Sequence, residues 1–352
     1  MGKAMAEDYP PEVGDVRDNH RFDEAGLEAW LSRNVDGFRG PMGVRQFRGG
    51  ASNPTFLIDA GERRYVLRKK PPGQLLASAH QVDREYRVMK ALGGAGFPVP
   101  VMRALCLDEA IIGTTFYVMD FLQGRIFRDA RLPGLAPAER TAVYDELNAV
   151  LAQLHGVDYA AIGLGDYGRP GNYFTRQIDR WTKQYRGAET ETIEAMEELI
   201  ALLPERAPTE ETTTIAHGDY RLENVMFHQT EPRIIAVLDW ELSTLGNPLA
   251  DIGYGGLLWH SVSESWGTLT GVDFKTSGIP TEDAYVAAYC RRTGRDGIED
   301  FNFYVGFAAF RLASIGQGVF KRNLDGIGTG NASRDNSGTR GLAELALSLM
   351  KR

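Results

Sequence analysis

Two stretches of the chain hold side chains whose types and spacing could do chemistry together. The first is Ile215-Ala216-His217-Gly218-Asp219-Tyr220-Arg221-Leu222-Glu223-Asn224, and the second is Ile235-Ala236-Val237-Leu238-Asp239-Trp240-Glu241. An Asp, then an Asn on the same loop, then a second Asp suit phosphoryl transfer. That reaction needs little covalent help and depends on holding metal ions, neutralising phosphate charge and aiming a hydroxyl. Asp219 is placed to face an acceptor hydroxyl and take its proton. The side-chain oxygen of Asn224 is a neutral hard ligand for Mg²⁺, and Asp239 supplies an anionic one.

The elements around these residues must bring them together. Residues 225–227 and 234–238 read as two short buried strands joined by Gln229-Thr230-Glu231-Pro232, a hairpin expected to fold Asp239 back toward Asn224.

His217-Gly218-Asp219 with Asn224, followed by Asp239-Trp240-Glu241, resembles the paired catalytic and metal motifs of the aminoglycoside phosphotransferase and choline kinase superfamily, small-molecule relatives of protein kinases. The resemblance runs from about Val44 to the final helices. It implies an α+β, protein-kinase-like bilobal fold: a small antiparallel-sheet N-terminal lobe with one helix, then a larger, mainly helical C-terminal lobe. The boundary is expected near residues 121 and 122, with a helical leader in the first lobe. It also implies ATP and Mg²⁺ as cofactors, with Glu241 as a further metal ligand or a support behind Asp239. His217 and Asp251 are then loop supports. Asn247 stands where the family commonly has Asp, which weakens a metal role there.

Such a fold makes demands on the N-terminal half. Residues 44–47 and 55–58 flank Gly49-Gly50-Ala51-Ser52-Asn53, whose small residues let backbone N–H groups approach phosphates, with Gly50, Ser52 and Asn53 as candidates. Tyr65-Val66-Leu67-Arg68-Lys69-Lys70 reads as the next strand. Side chains alternate along it, so Val66, Arg68 and Lys70 share one face and Lys69 takes the other. Arg68 is the expected phosphate-gripping residue, where the family more often has Lys, and Lys70 is its rival. A helix is expected over 78–92, capped by Ser78, with Val82, Glu85, Tyr86, Met89 and Leu92 turned inward and Glu85 paired with the basic strand. Residues 103–107 and 115–120 read as further strands. By resemblance, the segment including Met119 and Phe121 lines an adenine slot whose backbone groups read the base edge.

The chain's 352 residues, 43% hydrophobic and 24% charged, suffice for a large core. A net charge of −8 argues against a general nucleic-acid binder. Cys106 and Cys290 sit in apolar surroundings and read as packing residues rather than a disulfide or metal site. No membrane span and no leader is read from the sequence, so a cytoplasmic location is expected. Helices are expected over 139–155, 192–203, 284–291 and 301–320, and a stripe of Phe174, Ile178, Trp181 and Tyr185 marks another. Trp181 and Tyr185 fit a core stripe, and by resemblance they are also candidates for the acceptor site. Gly163-Leu164-Gly165-Asp166-Tyr167-Gly168 has the spacing of a dinucleotide fingerprint, but no buried strand precedes it.

Gly218 stands where protein kinases carry an Arg that binds an activation-loop phosphate, which favours a small-molecule acceptor. Tyr65 to Gly73 and Leu238 to Gly246 look most like the kinase domains associated with acyl-CoA dehydrogenases, which hints at a hydroxylated acyl metabolite. The expected activity is ATP- and Mg²⁺-dependent transfer of phosphate to a hydroxyl of a small molecule. The alternative is a catalytically silent nucleotide-binding scaffold of the same fold.

Overall fold

Alternation along Tyr65-Val66-Leu67-Arg68-Lys69 sorts the first unit of the structure into two faces. Tyr65 and Leu67 are buried among Leu27, Leu31, Phe56, Phe116 and Val118. Lys69 points the same way, with its ammonium over the rings of Phe22 and Phe56. Arg68 takes the opposite face, where it meets Glu85. The computed structural model describes residues 10, 12–48, 53–71, 81–209, 212–262, 267–326 and 336–352. The chain has a protein-kinase-like α+β fold and divides into two compact units: Met1–Gly124 with Ile235–Glu241, and Arg125–Ile234 with Leu242–Arg352. The division falls a few residues beyond the boundary expected from sequence, and it assigns the Asp239 segment to the first unit.

The first unit is an antiparallel sheet of β1 (Val13–Gly14), β2 (Gly43–Phe47), β3 (Thr55–Ala60), β4 (Arg63–Lys69), β5 (Met102–Cys106) and β6 (Phe116–Asp120). Their order in the sheet is β1-β2-β3-β4-β6-β5. Helix α1 (Glu24–Asn34) starts at Asp23, whose carboxylate accepts from the Gly26 N–H at 3.0 Å, and it buries Leu27 and Leu31 against one sheet face. Helix α2 (Val82–Gly94) turns Val82, Glu85, Tyr86, Met89 and Leu92 inward, as their 3- and 4-residue spacing predicts. Ser78, the expected cap, lies outside the described residues. Residues 235–241 are tied to this unit by the Val237 N–H to Pro98 O bond at 2.8 Å and by Trp240, buried edge-on against Phe97.

The second unit contains α3 (Pro137–His155), α4 (Tyr173–Ala188), α5 (Glu194–Arg206), β7 (Thr214–Ala216) and β8 (Val225–Phe227). Strand β9 (Ile234–Val237) begins at its edge. Then follow β10 (Thr244–Gly246), α6 (Leu249–His260), α7 (Glu282–Thr293), α8 (Phe301–Leu324) and α9 (Ser337–Met350). Strands β7 and β10 pair antiparallel, Ala216 opposite Thr244, so the His217 loop leaves the end of the ladder at which β10 begins, and α6 follows from the opposite end. Helix α6 was not foreseen as a helix, because its Gly-rich sequence has low helix propensity. Its glycines serve contact: a Cβ on Gly253 would lie 2.7 Å from the Tyr304 backbone of α8, so only Gly lets the two helices approach this closely. Helix α8 is long and apolar enough to cross a membrane, contrary to the reading that no such run exists, yet 78% of its apolar window is buried in the structure. It packs as a core helix. The glycines of residues 163–168 follow α3 rather than a strand, so the dinucleotide spacing is accidental. Cys106 and Cys290 are buried free thiols, both pushed up in pKa by burial.

Leu67 is fully buried in the β4 layer that orients Arg68. Leu67→Ala is expected to destabilise the protein by about 2–5 kcal/mol through lost burial and a cavity, read as a lower urea midpoint.

Candidate functional site

The first unit builds a charged cluster around Arg68. The guanidinium Nε lies 3.2 Å from Glu85 Oε2, and Nη2 lies 2.9 Å from Asp239 Oδ1 and 3.6 Å from Glu241 Oε2. Glu85 is almost fully buried, and its oxygens are held from two further sides: Asn53 Nδ2 donates to Oε1 at 2.9 Å and Tyr117 Oη donates to Oε2 at 3.0 Å. Burial pushes the Glu85 carboxyl above its ordinary range, opposed by Arg68 and by the Tyr117 and Asn53 bonds. Burial also works against the charge on Arg68, but Glu85, Asp239 and Glu241 outweigh it and hold the guanidinium pKa above its usual value. Asp239 sits at φ +62°, left-handed backbone that a non-Gly residue adopts only when its surroundings enforce it. Here Trp240, whose indole N–H bonds Val237 O at 3.0 Å, anchors the residue that follows.

These positions refine the sequence reading of the N-terminal half. Arg68, not Lys70, meets Glu85: β4 ends at Lys69, and the Lys70 N–H bonds Thr115 O at 3.3 Å. Asn53 sends its buried side chain to Glu85 as a brace, a contact that the sequence reading, which looked to the backbone of this turn, did not include. Gly50 and Ser52 lie outside the described residues. Met119 and Phe121 are half-buried at the end of β6. The N–H groups of Asp120 and Phe121 already bond Val101 O and Arg64 O, at 2.9 and 3.2 Å. Base-edge reading by these two donors is therefore ruled out in this arrangement, because each is used inside the unit.

The second unit builds a braced loop around Asp219. Its Oδ2 accepts from Asn224 Nδ2 at 2.8 Å, and the same amide donates to Asp219 O at 2.9 Å. With its nitrogen turned to Asp219, the acceptor end of the Asn224 amide is the hard oxygen Oδ1. The other carboxylate oxygen, Oδ1, accepts from Tyr254 Oη. Asp219 itself is partly exposed. The Asp219 N–H donates to His217 Nδ1 at 3.1 Å, so this buried imidazole acts as an acceptor, which is a bracing role rather than one of proton donor at that nitrogen.

The loop hangs from a buried carboxylate. Asp251, in the first turn of α6, accepts the His217 N–H at 2.7 Å and the Gly218 N–H at 2.8 Å, and His155 Nε2 lies 3.2 Å away. Burial alone would raise the Asp251 pKa, but the His155 bond and charge, His217 and the backbone donor from Gly218 hold it below the usual range. From the other side Arg311 Nη2 donates to Gly218 O, with its guanidinium 5.6 Å from the Trp181 and Tyr254 ring centres. Gly218 has φ +82°, and a Cβ there would lie 2.8 Å from Leu242 O, so both its conformation and its space require glycine. Asn247, just before α6, accepts the Leu249 N–H on Oδ1 at 2.9 Å.

Trp181 and Tyr185 are corrected to core residues: Tyr185 has no exposed surface, and Trp181 is stacked beneath Arg311. Sequence reasoning missed Arg311 and Tyr254. A lone Arg in the apolar run of α8, and a Tyr three residues after Asp251 on the same face of a helix, were the signals available. An apolar cavity beside the loop is lined by Tyr254, Tyr220, Leu147, Leu151, Leu257 and Trp259 among others. Among the described residues, no group of three or more His, Cys, Asp or Glu side chains is placed to hold a metal ion. Within the first unit, Asp239 and Glu241 carry carboxylate oxygens, the hard kind of donor that suits Mg²⁺.

A sequence model of the Phosphotransferase enzyme family, APH, matches residues 43–301. Acyl-CoA dehydrogenase family member 10 of Mus musculus is 46% identical over 342 residues, covering 96% of this chain and 32% of that protein. Acyl-CoA dehydrogenase family member 11 of Homo sapiens is 42% identical over 351 residues, covering 97% of this chain and 45% of that protein. The chain thus spans less than half the length of these curated relatives. A crystal structure of a candidate aminoglycoside phosphotransferase from Ralstonia eutropha is similar with a TM-score of 0.87 and 50% identity, over 94% of this chain and 99% of that one. Aminoglycoside phosphotransferase APH(4)-Ia, solved with AMP-PNP and hygromycin B, shares the fold at a TM-score of 0.59 and 17% identity, over 92% and 98% of the two chains.

Asp251→Asn would set an amide NH₂ against one of two backbone donors, a cost of about 1–3 kcal/mol. Because the Asp251 pKa is lowered on folding, its stabilisation is complete above the unfolded carboxylate range, about pH 4, and is lost as pH falls through the lower folded value. Urea melts of the two proteins should therefore differ by a constant amount above about pH 5 and converge below about pH 4.

Proposed function

Because the chain belongs to the Phosphotransferase enzyme family, we propose that it transfers the γ-phosphate of ATP, with Mg²⁺, to a hydroxyl of a small molecule. The observation that carries this reading is the Asp219–Asn224 pair, a partly exposed carboxylate whose second oxygen and main-chain carbonyl are both fixed by one amide. Asp219 orients the acceptor hydroxyl and takes its proton as the acceptor oxygen bonds to the γ-phosphorus and the bond to ADP breaks. Asn224 Oδ1 and Asp239, with Glu241, would hold Mg²⁺, which when bound neutralises phosphate charge. Arg68, kept charged by Glu85, grips the phosphates that are not transferred. Asp251 and Arg311 hold the loop that carries Asp219.

For the acceptor we favour a hydroxylated acyl metabolite over an antibiotic. The similarity to acyl-CoA dehydrogenase family members and the apolar lining of the cavity beside Tyr254 both support it. The silent-scaffold alternative rests on the Arg68–Asp239 contact, in which the two groups expected to serve nucleotide and metal satisfy one another.

Thermal unfolding with ATP or ADP and Mg²⁺ separates the two readings. At 100 times the dissociation constant, ligand stabilises by about 2.7 kcal/mol. The shift should require Mg²⁺ and be lost in Asp239→Asn; no shift with any nucleotide overturns the kinase reading. Asp219→Asn should keep the nucleotide shift and lose about 10²-fold or more in turnover of hydroxylated acyl acceptors, measured as ADP release.

A further inference from the structure

Both carboxylate oxygens of Asp219 are already taken by donors, Asn224 Nδ2 on Oδ2 and Tyr254 Oη on Oδ1. The Asn224 bond belongs to the loop itself and is compatible with a base that must stay fixed. The Tyr254 bond is different in kind, because it places a hydroxyl group on the oxygen where an acceptor hydroxyl would have to go. Tyr254 is mostly buried, and its ring is packed against the Arg311 guanidinium at 5.6 Å. Burial and the neighbouring Asp219 charge keep its phenol protonated well above neutral pH, so it remains a donor. The same ring lines the apolar cavity with Tyr220, Leu257 and Trp259, so a molecule lying in that cavity meets Tyr254 on the way to Asp219.

Building on the phosphotransferase reading above, we propose that Tyr254 is a selectivity residue. Its hydroxyl stands in for the acceptor's on Asp219 Oδ1, and only an acceptor with an apolar body that fills the adjoining cavity displaces it. Water is the competing acceptor that any such enzyme must refuse. In hydrolysis the water oxygen bonds to the γ-phosphorus, the bond to ADP breaks and the water proton passes to Asp219, giving ADP and inorganic phosphate. Water has no apolar body with which to move the ring, so while the phenol is bonded to Oδ1 this reaction is held back. Tyr254 does not take part in proton transfer; it positions and screens the group that does.

The test is phosphate release from ATP and Mg²⁺ without acceptor, for the wild type, Tyr254→Phe, Tyr254→Leu and Tyr254→Phe combined with Asp219→Asn. Tyr254→Phe keeps the ring between Arg311 and the cavity and removes only the hydroxyl. Phosphate release is expected to rise about 10- to 100-fold, the worth of one hydrogen bond to a charged group. It should return to the wild-type level or below in the double variant. A merely structural role for Tyr254 would lower turnover, so a rise cannot come from damage to the fold. Thermal melts identify which of the two single variants is folded, and the folded one decides. A nucleotide-dependent thermal shift with no rise in phosphate release overturns the selectivity role and leaves the kinase reading standing. No nucleotide shift in any variant overturns both.

Discussion

A carboxylate buried without water is an expense unless its oxygens are fully used, and Asp251 is the case on which the second unit depends. It accepts two successive main-chain N–H groups from the His217–Gly218 turn and sits against His155 of α3. Those donors outweigh desolvation, as its lowered pKa reflects. The consequence is geometric: two fixed N–H groups orient two successive peptides, and the next residue is Asp219. Arg311 completes the clamp by taking the carbonyl of the same turn. The two N–H groups of the turn are held from α6 and the Gly218 carbonyl from α8, so Asp219 is positioned by the packing of the helices rather than by the loop's own stiffness. His155 carries the dependence further, since its Nδ1 lies 2.7 Å from Tyr289 Oη of α7.

The first unit solves the opposite problem, a cation held among anions. Glu85 would be costly to bury alone, and Arg68 would be too. Their pairing, with Tyr117 and Asn53 taking the remaining positions on Glu85, leaves the guanidinium with Nη2 directed at Asp239 and Glu241. An arginine suits this better than the lysine expected by resemblance. Its planar fork reaches Glu85 with one nitrogen and Asp239 with another, while an ammonium would act as a single point charge. The substitution is therefore consistent with a retained role, achieved with a different geometry.

How much of this was legible in the sequence depended on whether the signal was local. Asp219, Asn224 and Asp239 stood out because their spacing is a property of one loop and one hairpin. Arg68 and Glu85 were found because strand alternation and helix periodicity each fix a facing direction, and the two directions agreed. The brace that Asn53 gives Glu85 was not foreseen, because nothing in a Gly- and Ser-rich turn tells whether its one amide points outward or back at a helix. Trp181 and Tyr185 were ambiguous for a related reason: an aromatic stripe on a helix has the same period whether it lines a cavity or a core. Arg311 and Tyr254 depend on contacts between segments far apart in the chain, which no periodicity records. The helix of Leu249–His260 was hidden by its glycines, whose value lies in the contact with Tyr304 and not in local propensity.

The charge balance of the Arg68 cluster is one-sided. With all four groups ionised, one guanidinium and three carboxylates leave a formal charge of −2 within the first unit. Any anion approaching that cluster meets net repulsion while Arg68 is engaged by Glu85 and Asp239. A cation at Asp239 would both offset the excess and compete with Arg68 for that carboxylate. Strain adds to the same effect: Asp239 is held at a left-handed φ, and such backbone persists where its side-chain direction matters. The pairing of Arg68 with Asp239 is then the contact by which the cluster's one cation and its most exposed carboxylate satisfy one another.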